Sequence, residues 1–263
     1  MASILLASMI AAALAANLAG KGTDEARPEK LADIYDALKD LAQKGDPSGA
    51  YSLHLWLTEC SAAPVEEASL TAAVKKLREE GLMPIGDGKY FPTSSPAREE
   101  DSLRRRFAFC EGITQEARDD ADFWRDSAVS SGVIFALSEK ARDLFQESPR
   151  DALAAYQALW DNDGDSGALA PLAFLYEKGL AGGGKDLVQA YAYKFADFKL
   201  RDSVYGESVF HSHRNMLRAA EDALRRHASY LTPEKTLKAE EMGKKLLAEN
   251  ANCCTGMLFG GTP

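Results

Sequence analysis

Apolar side chains recur at helical spacing along much of the chain, most regularly around Gly164. Tyr156 and Trp160 lie eight and four residues before this glycine, and Ala168 and Leu172 lie four and eight residues after it. Offsets of four and eight place side chains on the same face of a helix. The pattern therefore predicts two amphipathic helices that are joined by a turn at the glycine.

The same arrangement occurs around two other glycines. Gly132 follows Trp124 by eight residues, and Gly45 follows Ala37 by eight residues. The interval from residue 132 to residue 164 is 32 residues, and a period in the thirties is typical of stacked helical hairpins. Arg201 takes the place of the glycine in a fourth unit, 37 residues further along, and the 87 residues between the first two glycines require an insertion.

The best-matching stretch resembles a Sel1-like repeat, a relative of the tetratricopeptide repeat. Its residues follow the pattern Gly164-Asp165-x-x-Ala168-x-x-x-Leu172-x-x-x-Tyr176-x-x-Gly179, and then Asp186-x-x-x-Ala190-x-x-Tyr193. The resemblance extends over much of residues 28–250. It implies an all-α fold, a right-handed α-solenoid of stacked helical hairpins, and a function in binding other proteins or peptides. No catalytic residues accompany the pattern.

Residues 81–98 interrupt the helical pattern with three prolines and three glycines. This composition predicts an irregular insertion loop at the surface of the repeat domain, with a short hairpin near residues 86–88. The loop contains an aromatic pair, Tyr90 and Phe91, for which two explanations are open. The pair anchors a binding partner, or it clamps the loop to the helices.

The first 22 residues predict a secretory signal segment. Residues 4–19 are apolar apart from Ser8 and Asn17, and this run is shorter than the roughly 20 residues that a membrane span needs. No lysine or arginine precedes the run, so a cytoplasmic protein with an uncleaved N-terminal helix is the alternative. We expect a periplasmic or secreted bacterial protein with no integral membrane span in the mature chain. Its repeat domain would cover 23–250, followed by a flexible tail at 251–263.

The cysteines favour an oxidising compartment. Cys60 and Cys110 fall at predicted helix ends on either side of the insertion, where a disulfide would pin the inserted segment. Cys253 and Cys254 are adjacent, and either a vicinal bridge or a distant partner is open to them, so three connectivities are possible. Four free thiols in a cytosolic protein are the alternative. The spacings contain no C-x-x-C, which argues against a zinc site.

The net charge and the reactive side chains of the chain restrict the classes of function that it can have. The chain has 40 acidic and 31 basic residues, a net charge of −9, which argues against nonspecific nucleic-acid binding because that depends on neutralising phosphates. No nucleophile stands in a recognisable setting with a base, and no cofactor or metal is expected. We therefore expect a non-enzymatic scaffold or adaptor of the bacterial cell envelope that binds a protein or peptide. An enzyme with β-lactam-binding or hydrolase-type activity, implied by cysteine-dense Sel1-like relatives, is the alternative.

Candidate partner-binding residues follow from the repeat register. In a solenoid, the first helices of successive repeats usually line the concave surface. Polar residues that the pattern places on the exposed side of those helices, together with the aromatic pair of the insertion, form the predicted binding set: Asp36, Lys39, Asp122, Arg125, Gln157, Lys194, Tyr90 and Phe91.

Overall fold

The computed structural model describes residues 28–84, 89–180, 182–206 and 210–250. The predicted signal segment at 1–22 and the tail at 251–263, including Cys253 and Cys254, lie outside the described residues. Nearly all of the described secondary structure is helical, which confirms the all-α fold. The chain divides into two compact units, residues 1–136 and residues 137–263. The single repeat domain over 23–250 stays a prediction.

The first unit contains helices and a short β-hairpin that packs against two of them. Its elements are α1 (Ala32–Gln43), α2 (Pro47–Ser61), α3 (Glu67–Glu80), β1 (Leu82–Pro84), β2 (Tyr90–Pro92), α4 (Pro96–Phe109), α5 (Gln115–Asp119) and α6 (Ala121–Ser130). Helix α2 packs against both α1 and α6, while α3 packs against α4. The hairpin is antiparallel, with Met83 opposite Phe91.

The second unit is built around one long helix. Its elements are α7 (Ile134–Glu147), which begins at the boundary, α8 (Pro149–Asp163), a 3₁₀ turn (Ser166–Ala168), α9 (Leu169–Lys178), α10 (Leu187–Tyr205), α11 (His211–Ala228) and α12 (Pro233–Glu249). Helix α10 packs against α9, α11 and α12. Helix α12 approaches α10 closely at Gly243, where an added Cβ would lie 2.8 Å from the carbonyl oxygen of Ala192.

The three glycines that set the repeat register all lie in turns between helices, as predicted. Gly45, Gly132 and Gly164 have φ angles of 87°, 77° and 62°. Glycine adopts this left-handed conformation without the steric cost that a Cβ would add, so each one ends a helix sharply and lets the chain reverse. The aromatic residues eight positions before two of these glycines are buried, since Trp124 and Tyr156 are each 4% exposed.

The fourth predicted turn is wrong. Arg201 lies inside α10, four residues before the helix ends at Tyr205. Its Nε donates to both carboxylate oxygens of Asp197 at 2.9 Å. An i, i+4 ion pair of this kind stabilises a continuous helix, and no glycine is present at this position to end it.

A disulfide joins Cys60, at the end of α2, to Cys110, directly after α4. This confirms the predicted bridge between the helices that flank the insertion. The cross-link closes a loop with a sequence separation of 50 residues. In the chain-entropy model a loop of this length contributes about 4 kcal/mol to the stability of the fold.

A buried arginine lies beside the disulfide. Arg118 is 2% exposed, and its Nη1 donates to the carbonyl oxygens of Cys60 at 2.9 Å and Ala63 at 2.8 Å. Its Nη2 and Nε donate to the carbonyl oxygens of Cys110 at 3.3 Å and Ile113 at 3.2 Å. Burial lowers the pKa of Arg118, but a guanidinium keeps its proton at any physiological pH. Because helix C-termini carry partial negative charge, these carbonyls compensate the buried cation.

Replacing Arg118 with methionine should therefore destabilise the protein strongly. The variant keeps much of the side-chain volume but removes the guanidinium donors of the Ala63 and Ile113 carbonyl groups, at about 1–3 kcal/mol for each unsatisfied group. The carbonyl groups of Cys60 and Cys110 lose a second donor but keep backbone N–H partners. We expect a total loss of about 3–5 kcal/mol in urea denaturation. Arg105→Met is the matched control, because the side chain of Arg105 is 73% exposed and its loss should change stability by less than about 0.5 kcal/mol. Equal midpoints for the two variants would contradict this role.

Candidate functional site

An open groove runs between α1 and α6 in the first unit. Its volume is about 560 Å³, and its lining residues come from one face of each helix: Lys39, Ala42 and Gln43 of α1, Phe123, Trp124 and Ser127 of α6, and Asp120 directly before α6. The spacings of three and four residues within each set explain why these side chains share a face. Two helices that hold equivalent places in the predicted register thus form the walls of one cavity.

The aromatic wall of the groove has a buried and an exposed ring. Trp124 is 4% exposed, whereas Phe123 is 62% exposed. Their ring centroids are 4.9 Å apart and the rings are nearly perpendicular, with an interplanar angle of 75°. This edge-to-face arrangement is favourable for aromatic pairs. The buried indole therefore supports the phenyl ring from below and keeps it at the mouth of the groove.

Residues of opposite charge, Lys39 and Asp120, line the two walls of the groove. The ammonium group of Lys39 lies 5.5 Å from the centroid of the Tyr35 ring, a cation–π contact within α1. Neither Lys39 nor Asp120 forms an ion pair with another residue of the described ranges. Both groups are available to a ligand that carries complementary charges.

The other predicted residues of the first unit lie away from this groove. Asp36 is exposed, and Asp122 has a side-chain exposure of 78%. Arg125 was expected at the surface but keeps only 16% exposure, and its Nη2 lies 3.2 Å from an Asp122 carboxylate oxygen. The pattern placed it on the exposed side of α6, but the helix turns it partly towards the interior. Of this set, only Lys39 lines the groove.

The insertion holds its two aromatic residues differently. The ammonium group of Lys76, on α3, lies 3.7 Å from the centroid of the Tyr90 ring, so Tyr90 fastens β2 to the helix. Phe91 is 61% exposed. Residues 85–88, which include most of the predicted turn, lie outside the described residues. Tyr90 thus holds the insertion against α3, whereas the ring of Phe91 is accessible to a binding partner.

Gln157 lines a second, smaller groove in the second unit. This groove has a volume of about 300 Å³ and is lined by Arg150, Asp151, Leu153, Ala154, Gln157 and Tyr176. The hydroxyl of Tyr193 donates to Oε1 of Gln157 at 2.8 Å, and Nε2 of Gln157 donates to Asp161 at 3.0 Å. Both ends of the amide therefore already have partners within the protein, which makes Gln157 primarily a link between α8 and α10.

Lys194 belongs to a polar cluster that the sequence did not reveal. Its ammonium group hydrogen-bonds to Glu177 and donates to Nδ1 of His227 at 3.0 Å. Nε2 of His227 donates to the carbonyl oxygen of Leu187 at 3.2 Å, so this imidazole, 3% exposed, is a neutral tautomer. The cluster joins α9, α10 and α11.

The charges of this cluster shift its titrations. The hydrogen bond from Lys194 lowers the pKa of the Glu177 carboxyl group. Burial, and then the positive charge of Lys194, lowers the pKa of His227. The side chain of Lys194 is 27% exposed, and its ammonium group is hydrogen-bonded to both Glu177 and His227. It therefore stabilises the contact between helices more than it contributes to a binding surface. Within the described ranges, no group of three or more His, Cys, Asp or Glu side chains is placed to hold a metal ion.

Comparisons with known proteins give few relatives. No protein-family model matches the chain, and no curated protein matches it either. Among solved structures, it is similar to a protective antigen present in uropathogenic Escherichia coli strains that displays an SLR fold. The two are 17% identical with a TM-score of 0.44, and the match covers 88% of this chain and 43% of the other. The chain thus spans less than half the length of that protein. Of the helices described, none is both long and apolar enough to cross a membrane.

The lowered pKa of His227 makes stability depend on pH in a defined direction. In the unfolded chain histidine titrates near its ordinary value of about 6.5, whereas the folded pKa is lower. Between the two values the unfolded state binds more protons, so stability falls as the pH drops from neutral through this window. His227→Gln keeps a donor and an acceptor but cannot titrate, and it should show a flatter dependence of the unfolding free energy on pH.

His211→Gln provides the control for this measurement, because His211 is exposed at the start of α11. Urea denaturation of both variants and of the wild type at intervals between pH 5 and pH 8 would supply the comparison. If His227→Gln and His211→Gln both keep the wild-type slope, His227 does not bind its proton differently in the folded state.

Proposed function

We propose that this chain is a non-enzymatic scaffold that binds a peptide segment of another protein in the groove between α1 and α6. One observation carries the proposal, namely that the open groove has the exposed ring of Phe123 on one wall and Lys39, which forms no ion pair within the described residues, on the other. A large exposed aromatic side chain at a concave site is typical of the residues that supply most of the affinity in protein interfaces. Burial of such a ring contributes about 1.5–3 kcal/mol.

The size and charge of the groove favour a short peptide segment. Its volume of about 560 Å³ is within the range of ligand cavities and accommodates a few side chains. Lys39 on one wall and Asp120 on the other favour a segment in which an acidic and a basic residue flank an apolar one. The charges then select the partner and its orientation, while the aromatic contact supplies most of the binding energy.

The cell envelope is the second part of the proposal. Disulfides persist in oxidising compartments, and the buried bridge between Cys60 and Cys110 supports a location in the periplasm or outside the cell. The apolar run at residues 4–19 supports export as well. Intact Met1 together with freely alkylated Cys60 in protein isolated from its native cells would place the chain in the cytoplasm instead.

The groove is tested by cross-linking followed by affinity measurement. A photo-reactive phenylalanine analogue at position 123 should capture a partner in native cells, and the partner is then purified for titration. Phe123→Ala should weaken binding by about 2 kcal/mol, roughly thirtyfold, and Lys39→Glu should weaken it by roughly tenfold. Phe174→Ala is the matched control, because Phe174 is 42% exposed and lies in the other unit.

Two results would contradict the assignment of partner binding to this groove. One is an unchanged affinity in Phe123→Ala. The other is a loss of affinity in Phe91→Ala but not in Phe123→Ala, which would assign binding to the insertion. Turnover or covalent labelling of the purified chain by a fluorescent penicillin would favour the alternative, an enzyme with β-lactam-binding or hydrolase-type activity.

A further inference from the structure

Helix α11 carries an excess of positive charge in an acidic protein. It contains four arginines and two acidic residues, and its first ten residues contain no acid: the charged side chains are Arg214, Arg218, Arg225, Arg226, Glu221 and Asp222. The neighbouring helix α12 is balanced, with four lysines and four glutamates. The whole chain has a net charge of −9, so the composition of α11 runs against that of the protein.

Three of these arginines form a stripe along one face. Arg214, Arg218 and Arg225 are spaced by four and seven residues, which places them within a narrow arc of the helix over about 16 Å. All three are exposed. Arg225 pairs with Glu221 at 2.5 Å, whereas Arg214 and Arg218 form no ion pair with any residue of the described ranges.

An aromatic cluster lies at the N-terminal end of this stripe. Phe210, the residue before α11, is 65% exposed and lies one turn before Arg214. The centroid of the His213 ring is 5.5 Å from that of Phe210 and 4.5 Å from that of Tyr205. The stripe and the exposed phenyl ring together make a surface that is cationic at Arg214 and Arg218, carries the Arg225–Glu221 ion pair further along, and is apolar at its N-terminal end.

The apolar face of α11 is already occupied. Leu224 and Ala228 pack against the buried cluster that contains Tyr191 and Phe195 of α10. An amphipathic helix that binds lipid inserts its apolar face into the membrane, and here that face is used for folding. The exposed face also carries Asp222 among its arginines. The net negative charge of the chain argues against binding of a nucleic acid, because a long polyanion would be repelled by the rest of the protein.

We propose that the arginine stripe of α11 docks an acidic segment of a partner protein, with an apolar residue of that segment against Phe210. Guanidinium groups bind carboxylates through paired hydrogen bonds. Arg214 and Arg218, which form no ion pair within the described residues, supply such donors. This surface lies in the second unit and is independent of the groove between α1 and α6. Failure of either proposal leaves the other standing.

The test uses the full chain and a fluorescent twelve-residue peptide of glutamates with one phenylalanine. Its affinity is compared with that of a peptide in which lysine replaces each glutamate, and with binding to vesicles of phosphatidylglycerol and phosphatidylcholine. The double variant R214E/R218E should weaken binding of the acidic peptide at least roughly tenfold. The variant K235E/K238E makes the same charge change on exposed lysines of α12 and should weaken it less than about twofold.

Each outcome decides the proposal. Selective weakening by the α11 variant, at an unchanged melting temperature, supports the docking surface. Equal weakening by both variants would show an effect of net charge only and would overturn it. A peptide affinity no higher than that of the lysine peptide, or binding to the anionic vesicles alone, would also overturn it. If R214E/R218E does not fold, the comparison is repeated with R214Q/R218Q, which removes the two positive charges without adding negative ones.

Discussion

Arg118 and the adjacent disulfide determine how the helices of the first unit are held together. Between α2 and α6 the chain makes a long excursion through α3, the hairpin and α4, and it returns where Cys60 bonds to Cys110. The guanidinium group of Arg118 then bonds to carbonyl groups at both helix ends. Three residues later, the carbonyl oxygen of Ala121 contacts Nδ1 of the buried His54 of α2 at 3.0 Å. The start of α6, and with it the aromatic wall of the groove, is thus fixed against α2.

Turns and cross-links were predictable because their chemistry depends on residue type. Gly45, Gly132 and Gly164 mark turns since a left-handed backbone strongly favours glycine, and the periodic apolar positions between them give the helices. The pair Cys60 and Cys110 was predictable because only cysteines form such a bond and these two fall at predicted helix ends on either side of the insertion. Arg118 was not predictable, because its acceptors are backbone carbonyls of residues as far as 58 positions away in sequence. Every residue has a carbonyl, so sequence offers no signal for this kind of partner.

Equivalent positions of the predicted binding set lie in different surroundings in the structure. Lys39 lines a groove, as its place in the register suggested. Lys194 holds an equivalent place, but Glu177 and the buried His227 from neighbouring helices enclose its ammonium group. The register assumed a turn at Arg201, whereas the helix continues through it, and α10 contacts both α11 and α12. Local spacing gives the face of a helix but not the number of neighbours that cover it.

The two proposed surfaces differ in the origin of their affinity. At the groove, the largest contribution is burial of an exposed phenyl ring over the indole of Trp124, an effect that salt scarcely weakens. At the stripe, the contribution comes from exposed guanidinium groups, whose attraction for carboxylates is screened over about 8 Å at physiological ionic strength. The groove therefore suits a partner held for long periods, because aromatic contacts mainly slow dissociation. The arginine stripe suits rapid and reversible encounter, because long-range charge mainly speeds association.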